Sequence, residues 1–198
     1  MMEFIIFSTA LILISLLIVF LTYSGWMSTI DIQVTEVSTP GTFFYKFYQQ
    51  SYSECSLVLR ELFKFPVIKN NSKLKCMGIY YDDPKKIENN KTRYAIGLFV
   101  PSDEISDELK NTMTGIGYSH VQLPPVKAIV AEFPFQFWLS ILVAIYRVYP
   151  KLKTYCENQK LNAHPYLEVY DQKTIFFVAP LEKNELFYVD EYKYSSID

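Results

Sequence analysis

The sequence predicts an α+β protein: one N-terminal transmembrane helix joined to a duplicated βαββ domain, an antiparallel sheet with its helices on one face. Three features predict it. Phe4–Thr22 is a run of 19 residues without a charged side chain. Beyond it, apolar and polar residues alternate with period two in several short stretches, as half-buried strands do. The order strand, helix, strand, strand then occurs at 42–100 and again at 126–179, the mark of an internal duplication.

The first helix, at about 1.5 Å per residue, spans close to the roughly 30 Å hydrocarbon core of a bilayer. Its polar groups are the hydroxyls of Ser8, Thr9, Ser15 and Thr22, which can bond back to the helix's own carbonyls. Tyr23 and Trp26 follow, where amphipathic rings favour the interface. A cleaved signal peptide is the competing reading. Met1, Met2 and Glu3 lack the basic charge such a peptide carries, and the apolar core is too long, although Thr22 and Ser24 before Gly25 resemble a small-residue cleavage site. Charge leaves the orientation open, because no Lys or Arg precedes the helix and the first to follow is Lys46.

Ile32–Val37 alternates as a juxtamembrane strand, Pro40-Gly41 turns, and Thr42–Tyr48 is a β-branched and aromatic strand. Cys55, Leu59, Leu62 and Phe63 make the apolar stripe of a helix over Glu54–Phe63. Strands follow at Cys76–Tyr81 and at Arg93–Val100, the latter ended by Pro101. Ser102 and Asp103 are placed to cap a short helix from Glu104 to about Met113. Val126–Phe133 is a strand and Phe135–Tyr149 an apolar helix continued by Leu152, Tyr155 and Cys156. Pro134 and Pro150 bracket the helix, which leaves too few residues for a second membrane span and makes it a core helix. Strands at Tyr166–Tyr170 and Thr174–Ala179 complete the second unit. Within the repeat, Ile79-Tyr80-Tyr81-Asp82 aligns with Glu168-Val169-Tyr170-Asp171. The chain divides into an anchor, 1–26, a domain, 27–187, and a short polar C-terminal tail, 188–198.

Half of the residues are hydrophobic and 17% aromatic, so the domain can bury a sizeable core. A net charge of −2 argues against direct nucleic-acid binding, which needs a concentrated basic surface. Lys85, Lys86, Lys91 and Arg93 are interleaved with Asp82, Asp83 and Glu88, as in a solvated loop. Cys55, Cys76 and Cys156 are odd in number and widely spaced, which fits free thiols in a reducing compartment better than disulfides or zinc. His120 and His164 lie far apart near prolines. With no phosphate loop, nucleophile elbow or paired Cys-x-x-Cys, the sequence predicts no metal, no cofactor and no enzyme.

Glu168 is the residue singled out. Alternation sends Leu167 and Val169 to one face and Glu168 and Tyr170 to the other. If the apolar pair meets the helices, Glu168 and Tyr170 lie on an open face, as ligand-binding candidates for a small apolar cation between aromatic walls. The alternative is a Glu that faces solvent on an ordinary strand.

Ile79-Tyr80-Tyr81-Asp82-Asp83-Pro84, Arg93-Tyr94-Ala95-Ile96-Gly97, Phe133-Pro134, Arg147-Val148-Tyr149-Pro150 and Pro165-Tyr166-Leu167-Glu168-Val169-Tyr170 resemble the testis-expressed protein 264 family in order and spacing. The resemblance implies a single-pass endoplasmic reticulum protein with a cytosolic GyrI-like domain. It further implies a receptor or scaffold for selective autophagy of the endoplasmic reticulum (reticulophagy), whose partners are ubiquitin-like autophagosome proteins. A valosin-containing AAA+ unfoldase, in repair of DNA–protein crosslinks, is another implied partner. In more distant GyrI-like domains the glutamate matching Glu168 lines a small-molecule pocket, and some of those relatives are hydrolases. Family receptors carry a long acidic tail with the autophagosome-binding motif. Here Tyr194-Ser195-Ser196-Ile197 fits the aromatic-x-x-aliphatic pattern, which makes Tyr194 and Ile197 partner-binding candidates. A cytosolic domain would leave the sequons Asn70-Asn71-Ser72 and Asn90-Lys91-Thr92 unmodified.

Overall fold

The computed structural model describes residues Met1–Ser195, the side chains of Lys69, Asn70 and Asn89 excepted. Helix α1 (Met2–Tyr23) is, among the described residues, the one helix long and apolar enough to cross a membrane, and none of it is buried in the domain. The hydroxyls of Ser8 and Thr9 bond to the Ile5 carbonyl at 3.0 and 2.7 Å, and that of Ser15 to Leu11 at 2.8 Å, as their sequence context predicts.

Eight strands follow: β1 (Ile32–Val37), β2 (Gly41–Gln49), β3 (Lys75–Tyr80), β4 (Arg93–Pro101), β5 (Ser119–Leu123), β6 (Val126–Pro134), β7 (Tyr166–Asp171) and β8 (Thr174–Pro180). They form one sheet in the order β1-β6-β8-β7-β3-β4-β2-β5, antiparallel at every pairing. Outward from the central β7–β3 pair the order is β8, β6, β1 on one side and β4, β2, β5 on the other. The two units are therefore related by a local two-fold axis. Each unit also has an extra first strand that it lends to its neighbour, since β1 pairs with β6 and β5 with β2. In the β3–β7 register Gly78 faces Glu168, which makes Tyr80 the counterpart of Tyr170. The motif alignment that matched Tyr81 to Tyr170 is off by one residue, and such a slip exchanges faces: Tyr81 packs on the opposite side of the sheet.

Helices α2 (Cys55–Leu62), α3 (Pro66–Asn70), α4 (Asp107–Gly115), α5 (Trp138–Gln159) and α6 (Asp190–Tyr194) complete the domain. Cys55, Leu59 and Leu62 of α2, with Ile141, Ala144, Val148 and Leu152 of α5, are buried on one face of the sheet. α4 starts later than the sequence implied. Ser102–Glu104 is a 3-10 turn, and Ser106 is the cap, its hydroxyl accepting from Leu109 N at 3.1 Å. α5 does not stop at Pro150 but runs on for 22 residues in all. Pro150 removes one hydrogen bond, yet its ring is on the exposed side, and Val148 and Leu152 are fully buried on either side of it.

The face opposite the helices is not free. Phe43, Met77, Ile79, Leu167 and Val178 are covered there by Phe187 and Val189, with Tyr188 and Tyr192 at the margin. The expected polar tail is thus part of the domain through Ser195. Among its charged and polar residues Val189 is buried, and with Phe187 two residues before it this holds the segment down as a strap.

Candidate functional site

Glu168 lies under the helices. The pleat of β7 sends Leu167 and Val169 to the strap-covered face and Glu168 and Tyr170 beneath α2 and α5, the reverse of the sequence expectation. Because both faces are covered, the apolar pair does not mark the helix side. Glu168 is neither on a groove nor in solvent: it is 2% exposed.

Three tyrosines hold it. Oε1 accepts from the Tyr149 hydroxyl of α5 at 2.7 Å and Oε2 from the Tyr170 hydroxyl, with the Tyr80 hydroxyl as a third partner. The missing side chain of Gly78 makes room for this arrangement, because a Cβ there would stand 2.9 Å from the Tyr80 ring. Tyr52 meets Tyr80 edge-on at 5.3 Å, and Tyr94 stacks on Tyr80 at 6.2 Å. Among the described residues no buried side-chain nitrogen or oxygen lacks a partner.

Burial raises the carboxyl above the usual carboxylate range, and the hydroxyls of Tyr170, Tyr149 and Tyr80 oppose that shift without cancelling it. Burial also raises all three phenols, helped by the charge of Glu168. The cluster is an acceptor surrounded by neutral donors, chemically able to hold a proton or a cation. Nucleophilic chemistry has no support nearby, since burial pushes the thiols of Cys55 and Cys76 up to about 12. All three cysteines are free. Neither the cleft beside α1 nor the hollow beside α6 reaches Glu168.

A second cluster was hidden among charges read as a solvated loop. Arg93 and Asp82 are buried and paired, Nη2 to Oδ1 at 2.6 Å and Nε to Oδ2 at 2.9 Å. The guanidinium lies over the Tyr192 ring at 4.2 Å and donates to the Ser195 carbonyl at 3.3 Å, so it clamps the strap. The available signal was position: Asp82 and Arg93 close the ends of two strands joined as a hairpin. His120 sits on the edge strand β5, and His164 hydrogen-bonds the Tyr188 hydroxyl of the strap. Tyr194 is 88% exposed at the end of α6, and Ile197 lies outside the described residues.

A third cluster joins α1 to the domain. Ser24 and Gly25 are buried, and Gly25 adopts φ +85°, with Phe133 and Pro134 where a Cβ would go. Arg147 of α5 donates to the carbonyls of Gly25 and Ser28 at 2.9 and 2.8 Å.

No protein-family model matches the chain. Testis-expressed protein 264 of Homo sapiens is 32% identical over 187 residues, 92% of this chain. The chain belongs to the testis-expressed protein 264 family. The Mus musculus homolog is 33% identical over 86% of the chain. The chain spans 58% and 55% of the length of these two relatives. Tyr80, Tyr149, Glu168 and Tyr170, which lie in the segments that carry the resemblance, are the ones that meet in the buried cluster. Among solved structures, the EcmrR C-terminal domain shares the fold, with a TM-score of 0.53 and 13% identity over 78% of this chain and 98% of that one.

Proposed function

We propose that the chain is a single-pass membrane protein of the endoplasmic reticulum whose GyrI-like domain faces the cytosol as a scaffold or receptor in reticulophagy. One observation carries the reading. The alignment with the human family member covers 92% of the chain, more than the residues after α1 could supply, so the similarity reaches into α1. Three free cysteines favour a reducing compartment. The cytosolic face puts the domain within reach of ubiquitin-like autophagosome proteins, with Tyr194 and Ile197 as the contact, and of a AAA+ unfoldase.

Two experiments test this. Expressed in cells, the full chain should show no gel shift on N-glycosidase treatment, because Asn70 and Asn90 never meet the transferase. A downward shift would put the domain in the lumen and end the reading. Purified full chain should also capture a ubiquitin-like autophagosome protein and lose it on Tyr194→Ala plus Ile197→Ala. Absence of capture by the native chain refutes the receptor role.

The tyrosine cluster favours a second reading, in which Glu168 and Tyr170 take a small apolar cation after the cage opens. Such a ligand should stabilise the domain by RT ln(1 + [L]/Kd) and lose that effect in Glu168→Gln. Equal stabilisation of both proteins would refute it.

A further inference from the structure

We propose that the domain lies on the membrane rather than standing clear of it, with the outer face of the first half of α5 inserted at the boundary between headgroups and acyl chains. This rests on reading α1 as the membrane span.

The observation behind it is a break in the outer surface of α5. Leu139, Leu142, Ile145 and Tyr146 are exposed, Leu142 at 62% and Tyr146 at 71%. Past Pro150 the exposed residues become Lys151, Lys153, Thr154 and Glu157. One helix thus has an apolar outer face for its first half and a charged one for its second. In water such a contiguous patch is a liability.

The contacts of α1 say what covers it. Phe137, the residue before α5, stacks on Tyr23 at 5.5 Å and meets Phe20 edge-on at 6.2 Å. Phe20 lies three residues inside the end of α1, roughly 4.5 Å along its axis, so the start of α5 sits at or below the bilayer boundary. Nine residues further along, Tyr146 stacks on Trp26 at 5.7 Å. Both ends of the apolar stretch are therefore tied to the exit of α1, and the stretch runs along the boundary instead of away from it. Slack is absent: Ser24 and Gly25 are buried, and Arg147 holds the Gly25 and Ser28 carbonyls. Beside it a cleft of about 610 Å³ opens between α1 and the domain, lined by Ile18, Val19, Tyr23 and Pro134. Its apolar wall continues the patch. Amphipathic helices of this kind settle with their apolar face roughly 5–10 Å into the interface. The occupant is the lipid of the bilayer that α1 enters.

The test uses the full chain in phosphatidylcholine nanodiscs, in a Cys156→Ser background that leaves only the buried Cys55 and Cys76. Ile12→Cys, Leu142→Cys and Lys153→Cys each carry an environment-sensitive fluorophore, and Leu139→Cys repeats the measurement should Leu142→Cys fail to fold. Lipids bearing a shallow doxyl quencher should lower emission at 142 about twofold, as an interfacial depth implies, quench Ile12 with a deep doxyl, and leave Lys153 unchanged. Quenching at 12 but not at 142 or 139 overturns this inference and spares the anchor. No quenching at 12 overturns the anchor and the inference together. A blue shift at 142 without lipid quenching means a second protein copy covers the face, which also overturns it.

Discussion

At the centre of the sheet the first unit places Gly78 and Tyr80 where the second places Glu168 and Tyr170. Above them the first unit lays an eight-residue α2 with Arg60 and Glu61 outward, the second a 22-residue α5 with Leu139 and Leu142 outward. The difference teaches why a duplicated fold must break its own symmetry. Glutamates at both axial positions would face each other across the ladder with Cα atoms about 5 Å apart, two like charges in a buried site. One carboxylate and one glycine resolve the conflict, and both tyrosines then serve the same acceptor.

Restoring the symmetry should do most harm. Gly78→Glu adds a second buried carboxylate and collides with Tyr80, and is expected to abolish the cooperative unfolding transition at neutral pH. A folded Gly78→Glu protein would show that the axis tolerates two acids. Arg93→Ala comes next, because it strands Asp82 in a buried site at a cost of about 3–5 kcal/mol. Its counterpart at the start of β8 is Thr174, where Ala should change stability by less than about 0.5 kcal/mol. Denaturant titration of the pair measures that asymmetry directly.

Tyr149→Phe removes the donor that α5 contributes to Oε1 and should cost about 1–3 kcal/mol. Tyr80→Phe, which removes the donor that β3 contributes, provides the comparison. Glu168→Gln has an effect that depends on pH. The folded carboxyl titrates above its ordinary 4.5, so its stabilising contribution is complete below that value and is lost as pH rises through the folded pKa. The stability of Glu168→Gln relative to wild type should therefore increase from about pH 4 to about pH 7. A relative stability of Glu168→Gln that falls over this range instead would mean the tyrosines stabilise the charged form outright. The smallest effect belongs to Leu142→Ser, which alters an exposed side chain and should leave the melting temperature in detergent within a few degrees.

Most strands were readable because Thr42–Tyr48, Val126–Phe133 and Thr174–Ala179 are β-rich and bounded by turns. β5 was not, since Ser119-His120-Val121-Gln122-Leu123 has two apolar residues, and an edge strand needs few. The helices announced their inner faces, but the side occupied by Glu168 was illegible. Alternation reports two faces and cannot say which lies under a helix when the other is buried beneath Phe187 and Val189. The pairing of Asp82 with Arg93 was obscured in the same way, because residues eleven apart look like loop charges until a hairpin joins them. The outward Leu139 and Leu142 were read with the core, since composition does not separate the two sides of an apolar helix.

The exchanged first strands bear on the order in which the chain can be assembled. β5 emerges after its partner β2 and can pair at once. β1 emerges directly behind α1, yet its partner β6 begins roughly 90 residues later, which at about 5–20 residues per second is on the order of ten seconds of synthesis. For that interval Ile32–Val37 lacks the partner its backbone has in the finished sheet and is open to any other strand that arrives first. The sheet thus cannot take in its first strand before the second unit has begun to emerge, and the nascent domain completes its sheet late.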